Sequence, residues 1–156
     1  MASRLQRLML RAINIWPPFF GAGIRVKWSP DYKAVDVEMH LRFWNRNYVG
    51  THYGGSLYSM TDPFYMLMLM ENLGRDYIVW DKAASIRFRK PGKGKVRAEF
   101  RLSDEQLDDI RTQLQTQEKY EPTFAVQVKD AGGDVVAEVQ KVIHIRRKQA
   151  GGEPGQ

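Results

Sequence analysis

The 156-residue sequence has no cysteine. That absence excludes disulfides, zinc ribbons, iron–sulfur clusters and thiolate nucleophiles together, since each needs a sulfur atom as ligand or attacker. Histidine is scarce as well. His40, His52 and His144 are too scattered to supply a metal-ligand pair at helical spacing, so no metal and no cofactor are expected. Long apolar runs are missing too: the most apolar stretch, residues 56–70, is interrupted by Asp62 and Pro63 and falls short of the roughly 20 residues a spanning helix needs. Near the N-terminus, Arg4, Arg7 and Arg11 lie between leucines, leaving no apolar centre for a secretory signal, and a cytoplasmic location is expected. Acids are outnumbered, 18 against 24 Lys and Arg, for a net charge of +6. A basic balance speaks to partners and not to fold, and leaves nucleic acid, membrane surfaces and anionic small molecules open.

What is present is the pattern of one globular domain, 43% hydrophobic and 12% aromatic. Residues 4–15 place Leu5, Leu8, Met9, Ala12 and Ile13 at helical spacing, and Trp16-Pro17-Pro18 stops that helix. Residues 1–18 are read as an amphipathic helix docked on its own domain, with contact to a lipid surface as the alternative. Residues 19–147 form the single domain, and the Gly- and Pro-containing residues 148–156 a disordered tail. Within the domain the period is two. Ile24, Val26 and Trp28 share one parity, and after a turn Val35, Val37, Met39, Leu41 and Phe43 share another. Further stripes run through Ile78, Trp80, Ala84, Ile86 and Phe88; Val96, Ala98, Phe100 and Leu102; Phe124, Val126 and Val128; and Val135, Ala137, Val139, Ile143 and Ile145. His40 and His144 fall on polar parities. Ser103 and Gln106 spell a capping box before an outer helix with Leu107, Ile110 and Leu114 on its apolar stripe. Between the second and third stripes, the segment through Met70 is apolar nearly all round and predicts a fully wrapped helix. Six one-sided strands and one enclosed helix predict an α+β fold, a curved antiparallel sheet wrapped around a long central helix.

Chemistry concentrates at that helix. Asp62 is the one formally charged side chain between Arg46 and Glu71. A carboxylate among Tyr, Met and Phe demands either a functional role or a structural one, such as capping a turn at the helix break that Pro63 imposes. Gly54-Gly55, where the polar loop enters the helix, permits close backbone approach; free amides there could stabilise an oxyanion, or the glycines could serve packing alone.

The run Asn47 to Gly55, followed by Asp62, resembles the segment entering the central helix of hotdog-fold acyl-CoA thioesterases of the phenylacetyl-CoA type. That family carries an Asn seven residues before a Gly-Gly pair and an Asp eight residues after its first Gly. The stretches Gly54 to Met60 and Trp80 to Phe88 are similar to an uncharacterised bacterial branch of the same superfamily. The resemblance implies that Asp62 is general base or nucleophile, that Gly55 gives an amide to the thioester carbonyl, and that Asn47 positions substrate or water. The family's His directly precedes Gly-Gly. Here Tyr53 holds that place and His52 stands one earlier, a shift that turns a side chain to the other face of an extended segment; His52 is a catalytic candidate on the resemblance, with a loop histidine bonded to backbone as the alternative. Gly54, Tyr58 and Asp81 complete the expected substrate site, with Arg87, Arg89 and Lys90 as candidates for coenzyme A phosphates. For the basic run as a whole a solvated edge and hairpin is the other reading, favoured for Lys93 and Lys95, and for Arg87 and Arg89 the alternative is a dimer contact. The resemblance further implies an acyl-CoA or related thioester ligand and a homodimer or homotetramer with sites between subunits. The expected activity is acyl-thioester hydrolysis; the alternative is a non-catalytic module that binds acyl-CoA or an acyl carrier. Nucleic acid is not an expected partner, because the basic run from Arg87 to Arg97 lacks interleaved exposed aromatics or a recognisable motif.

Overall fold

The structure, a computed structural model, describes residues 8–10 and 12–148. Among them one antiparallel sheet holds β1 (Ile24–Trp28), β2 (Ala34–His40), β3 (Tyr77–Phe88), β4 (Lys95–Arg101), β5 (Lys119–Tyr120), β6 (Thr123–Asp130) and β7 (Val135–Arg147). The order is β1-β2-β4-β6-β7-β3, with β5 also on β7. The helices are α1 (Pro17–Ala22), α2 (Gly54–Ser59), α3 (Phe64–Leu73) and α4 (Asp104–Thr116). Alternation makes the core: Val35, Val37, Met39, Val96, Phe100, Val128, Ile143 and Ile145 are fully buried and pack with Leu57, Met60, Phe64, Met68 and Leu69. Phe64 anchors the helix, its ring 5.0 Å from that of Phe100. The capping box starts α4, Ser103 Oγ accepting from Gln106 N at 3.2 Å and Gln106 Oε1 from Ser103 N at 2.9 Å. Leu107, Ile110 and Leu114 are buried, and the helix otherwise faces outward. No helix among the described residues is long and apolar enough to cross a membrane.

The structure departs from the sequence reading at five places, each for a local reason. The first helical segment does stop at Trp16, whose backbone is extended after a 3-10 turn over Ala12–Ile15, but Pro17 and Pro18 then open a further helix, α1, at its first positions, where a missing N–H leaves no bond unmade. Residues 1–7 and 11 of the expected N-terminal helix, and 149–156 of the expected tail, lie outside the described residues. The central helix is two helices. Pro63 has no amide to donate and disfavours helical backbone at Asp62, so the path breaks between α2 and α3. Nor is it wrapped on all sides, because Met66 and Leu67 are half-buried and Met70 is exposed.

Third, β2 ends at His40, and Phe43 is 78% exposed instead of continuing the dry stripe. The buried Asn45 turns the backbone there: its amide donates to Ala22 O at 2.9 Å and His40 O at 2.8 Å, and its Oδ1 accepts from Arg42 N at 2.7 Å. Fourth, β3 has a bulge: Asp81 pairs with Ile143 but Ala83 pairs with Val142, leaving Lys82 extra. The stripe of Ile78 and Trp80 is thereby split from that of Ala84, Ile86 and Phe88, which face the opposite side. Fifth, His144 keeps the polar parity yet is only 7% exposed, because the cross-strand Trp80 ring stacks on it at 4.0 Å.

Candidate functional site

Asp62 sits in the break between α2 and α3. Tyr58, one turn earlier on the same face, donates its hydroxyl to Asp62 Oδ1 at 2.8 Å. The same oxygen accepts from Lys141 Nζ at 2.7 Å, and Lys141 makes a second ion pair, 3.1 Å long, to Asp81 Oδ1. Three elements meet here: the helix break gives Asp62, the bulge of β3 turns Asp81 to the helix side, and β7 gives Lys141. The Lys141 side chain is 1% exposed, that of Asp81 23% and that of Asp62 46%. Burial pushes the Asp81 carboxyl upward, and the facing Lys141 offsets this in part. For Lys141, burial acts downward, but the two carboxylates outweigh it and hold the ammonium above the ordinary lysine range. Burial, with the bond to Asp62, also raises the Tyr58 phenol. The cluster therefore presents a phenol, an ammonium and a half-exposed carboxylate whose Oδ1 is doubly engaged. Asp62 does not cap α3, whose N-cap is Pro63 without a side-chain bond.

Lys141 was not among the expected site residues, although the sequence marks it. It falls on the parity of Ala137, Val139, Ile143 and Ile145, where a lysine must find acids or leave a charge unpaired in the core.

Five expected residues, Asn47, His52, Gly54, Arg89 and Lys90, line a separate cavity of about 390 Å³ at the start of α2. Asn47 is committed to its own loop: Oδ1 accepts from Val49 N at 3.1 Å and Thr51 N at 2.9 Å, and Nδ2 donates to Thr51 Oγ1 at 2.9 Å. His52 is buried, with Nε2 bonded to Gly94 O at 2.9 Å. Burial draws its pKa downward against that bond, which favours the neutral ring. The structure does not bring His52 to Asp62. The two glycines have packing reasons of their own, since a Cβ on Gly54 would stand 3.1 Å from the Phe88 ring and one on Gly55 would stand 2.4 Å from that of Tyr53. The first helical bond of α2 is Leu57 N to Tyr53 O, so the amides of Gly54, Gly55 and Ser56 precede its ladder. Of the basic trio, Arg89 forks onto Glu138 through Nε at 2.9 Å, and Lys90 lies 2.6 Å from both Asp130 and Asp134. Arg87 pairs across the strands with Glu138 in register, on the outer face.

On that outer face Glu121 accepts from Lys82 Nζ at 2.6 Å and from His144 Nδ1 at 2.7 Å. These bonds, Lys82 first, pull the Glu121 carboxyl down to about 2. Among the described residues no three His, Asp or Glu side chains are grouped as metal ligands.

The geometry has relatives. The family described as a domain of unknown function, DUF4442, matches residues 5–145. PA5026 from Pseudomonas aeruginosa, named a protein of unknown function and probable thioesterase, is 24% identical over 95% of this chain and 97% of its own, with a TM-score of 0.77. A protein of unknown function from Chlorobaculum tepidum gives 14% identity, coverage of 92% and 94%, and a TM-score of 0.70. The thioesterase HI1161 from Haemophilus influenzae gives 12%, 94% and 93%, and 0.64. Comparison with curated proteins returns no match. These identities speak to the fold, which is the hotdog fold of these structures, and the family match spans nearly the whole chain: the protein belongs to the DUF4442 family.

Proposed function

We propose that the protein hydrolyses an acyl-CoA thioester to the free acid and coenzyme A, acting as a two-fold dimer in the cytoplasm. The observation that carries this reading is Asp62: a half-exposed carboxylate with Oδ1 fixed by Tyr58 and Lys141 and Oδ2 left for a water. Asp62 takes a proton from that water as its oxygen adds to the thioester carbonyl carbon. The carbonyl oxygen becomes an oxyanion that the amide of Gly55 can meet; the C–S bond then breaks, and the departing thiolate takes up the proton. Gly55 lies in the first turn of α2 and Asp62 beyond its last residue, Ser59, so the two stand at opposite ends of this segment and do not serve one carbonyl within one chain. A second copy supplies the missing group. The outer edge of β3, twelve residues long, has no neighbour in the sheet among the described residues, and it supports antiparallel pairing of two copies, with a tetramer as a further assembly of such dimers.

The placement of His52 favours a second reading, a dimer that binds acyl-CoA or an acyl carrier without turnover, since no imidazole reaches Asp62. Thiol release from short, medium, long and aromatic acyl-CoAs separates the two, and the chain adds no thiol of its own. Hydrolysis is expected to fall by about 100-fold or more in Asp62→Asn, with folding and ligand affinity retained. Saturable binding with no thiol release on any substrate would overturn the hydrolase and leave the binding module.

A further inference from the structure

Arg89 and Lys90 are already paired with acids, so a phosphate at the hairpin would have to compete with Glu138, Asp130 and Asp134. Cationic groups without such competitors lie elsewhere. Phe20 in α1 and Trp44 in the turn after β2 form aromatic walls of a cavity of about 590 Å³, and its other side chains are Arg25, His40 and Arg42. That volume is within the roughly 300–1,000 Å³ of small-molecule sites. Among the described residues no carboxylate lines it. The cross-strand neighbour of Arg25 is Glu38, which is ion-paired with Lys95 at 2.5 Å, and Arg25 has no acid partner among the described residues. The Arg42 guanidinium lies 5.4 Å from the centre of the Trp44 ring. Asn45 fixes this turn through its three bonds to Ala22, His40 and Arg42. Trp44 and Gly21 also line a second cavity of about 480 Å³ that reaches Gly55 and Ser56, so these two residues wall both spaces.

We infer that Arg25, His40 and Arg42, between Phe20 and Trp44, form the subsite for the phosphate-bearing nucleotide end of the coenzyme. The inference rests on the thioester reading of the site. Guanidinium groups match phosphate oxygens in a fixed fork, and an aromatic wall offers a face to a purine. The neighbouring cavity then carries the acylated end to the amides at the start of α2.

The test is calorimetric titration of the full chain with adenosine 3′,5′-bisphosphate and, separately, with inorganic phosphate. Saturable nucleotide binding is expected, weakened about tenfold or more in Arg25→Ala and in Arg42→Ala, as loss of a charge-assisted bond dictates. Trp44→Ala should weaken it as well. Lys27→Ala, which removes an equal charge from the same strand outside the cavity, should leave it unchanged. Thermal unfolding of each variant confirms the fold. No saturable nucleotide binding, binding by the two arginine variants as tight as that of the parent chain, or inorganic phosphate binding as tightly as the nucleotide would each overturn the subsite. In the hydrolysis assay, Arg42→Ala should raise KM for an acyl-CoA and not for the same acyl group on pantetheine, with kcat preserved; an equal rise for both overturns it too. If no thioester is hydrolysed, the hydrolase reading falls while the nucleotide titration still decides the subsite.

Discussion

Lys141 is the counter-ion of two carboxylates that arrive from separate elements, and removing it leaves both without a cation. Lys141→Met is expected to cost about 2–4 kcal/mol, read from urea unfolding at neutral pH, mainly through Asp81. Adding Asp81→Asn should recover much of that loss; no recovery would mean that the lysine acts by packing its stem. The sign with pH follows from burial. The Asp81 carboxyl is raised, so the folded state holds its proton more tightly than the unfolded chain does. Its contribution is fully present below the ordinary carboxylate range and is lost as pH rises through the raised value, and the Lys141→Met deficit should accordingly shrink in acid. Glu121 has the opposite sign. With its carboxyl drawn from 4.5 to about 2, its contribution is present above 4.5 and lost as pH falls toward about 2. Stability measured from pH 5 to pH 2.5 should slope less in Glu121→Gln than in the parent chain. Asp62 was legible in the sequence as a lone charge in an apolar segment. Its ion pair was not, because the lysine that answers it lies 79 positions later and is recognisable only by the parity of its strand.

At the scale of elements, periodicity foretold the strands well where pairing is regular and failed where one residue is extra. The bulge at Lys82 reverses the parity of β3 halfway along, and no feature of a single strand's alternation announces it, since a bulge is a relation between two strands. The same bulge turns Asp81 toward Lys141. The break at Pro63 was visible as a proline, but not its outcome, which depends on Tyr58 and Lys141 being in reach of Asp62. At the end of α1, Gly23 stands at φ +76°, and a Cβ there would lie 3.1 Å from the Asn45 amide. Gly23→Ala is expected to cost about 1–2 kcal/mol by thermal unfolding, from the left-handed backbone and from displacement of Asn45. Gly55→Ala should cost less than about 1 kcal/mol, because the clashing Tyr53 ring is exposed and can swing away.

For the whole molecule, the stripes and one apolar segment foretell the fold; the proposed assembly depends on an edge that only the finished sheet displays. Sedimentation at micromolar concentration should give twice the monomer mass, and a charge pair placed to repel itself across the free edge of β3 should halve it. The sheet's order carries one more consequence. Among the described strands β7 comes last along the chain, yet it lies between β6 and β3 and also receives β5. During synthesis β3 waits for its partner until residues 135–147 have left the ribosome, and so do Asp62 and Asp81 for theirs. The nascent protein thus holds two carboxylates without their cation and a strand without its mate until its last strand arrives, and the step that closes the sheet is the step that sets the charge of the site.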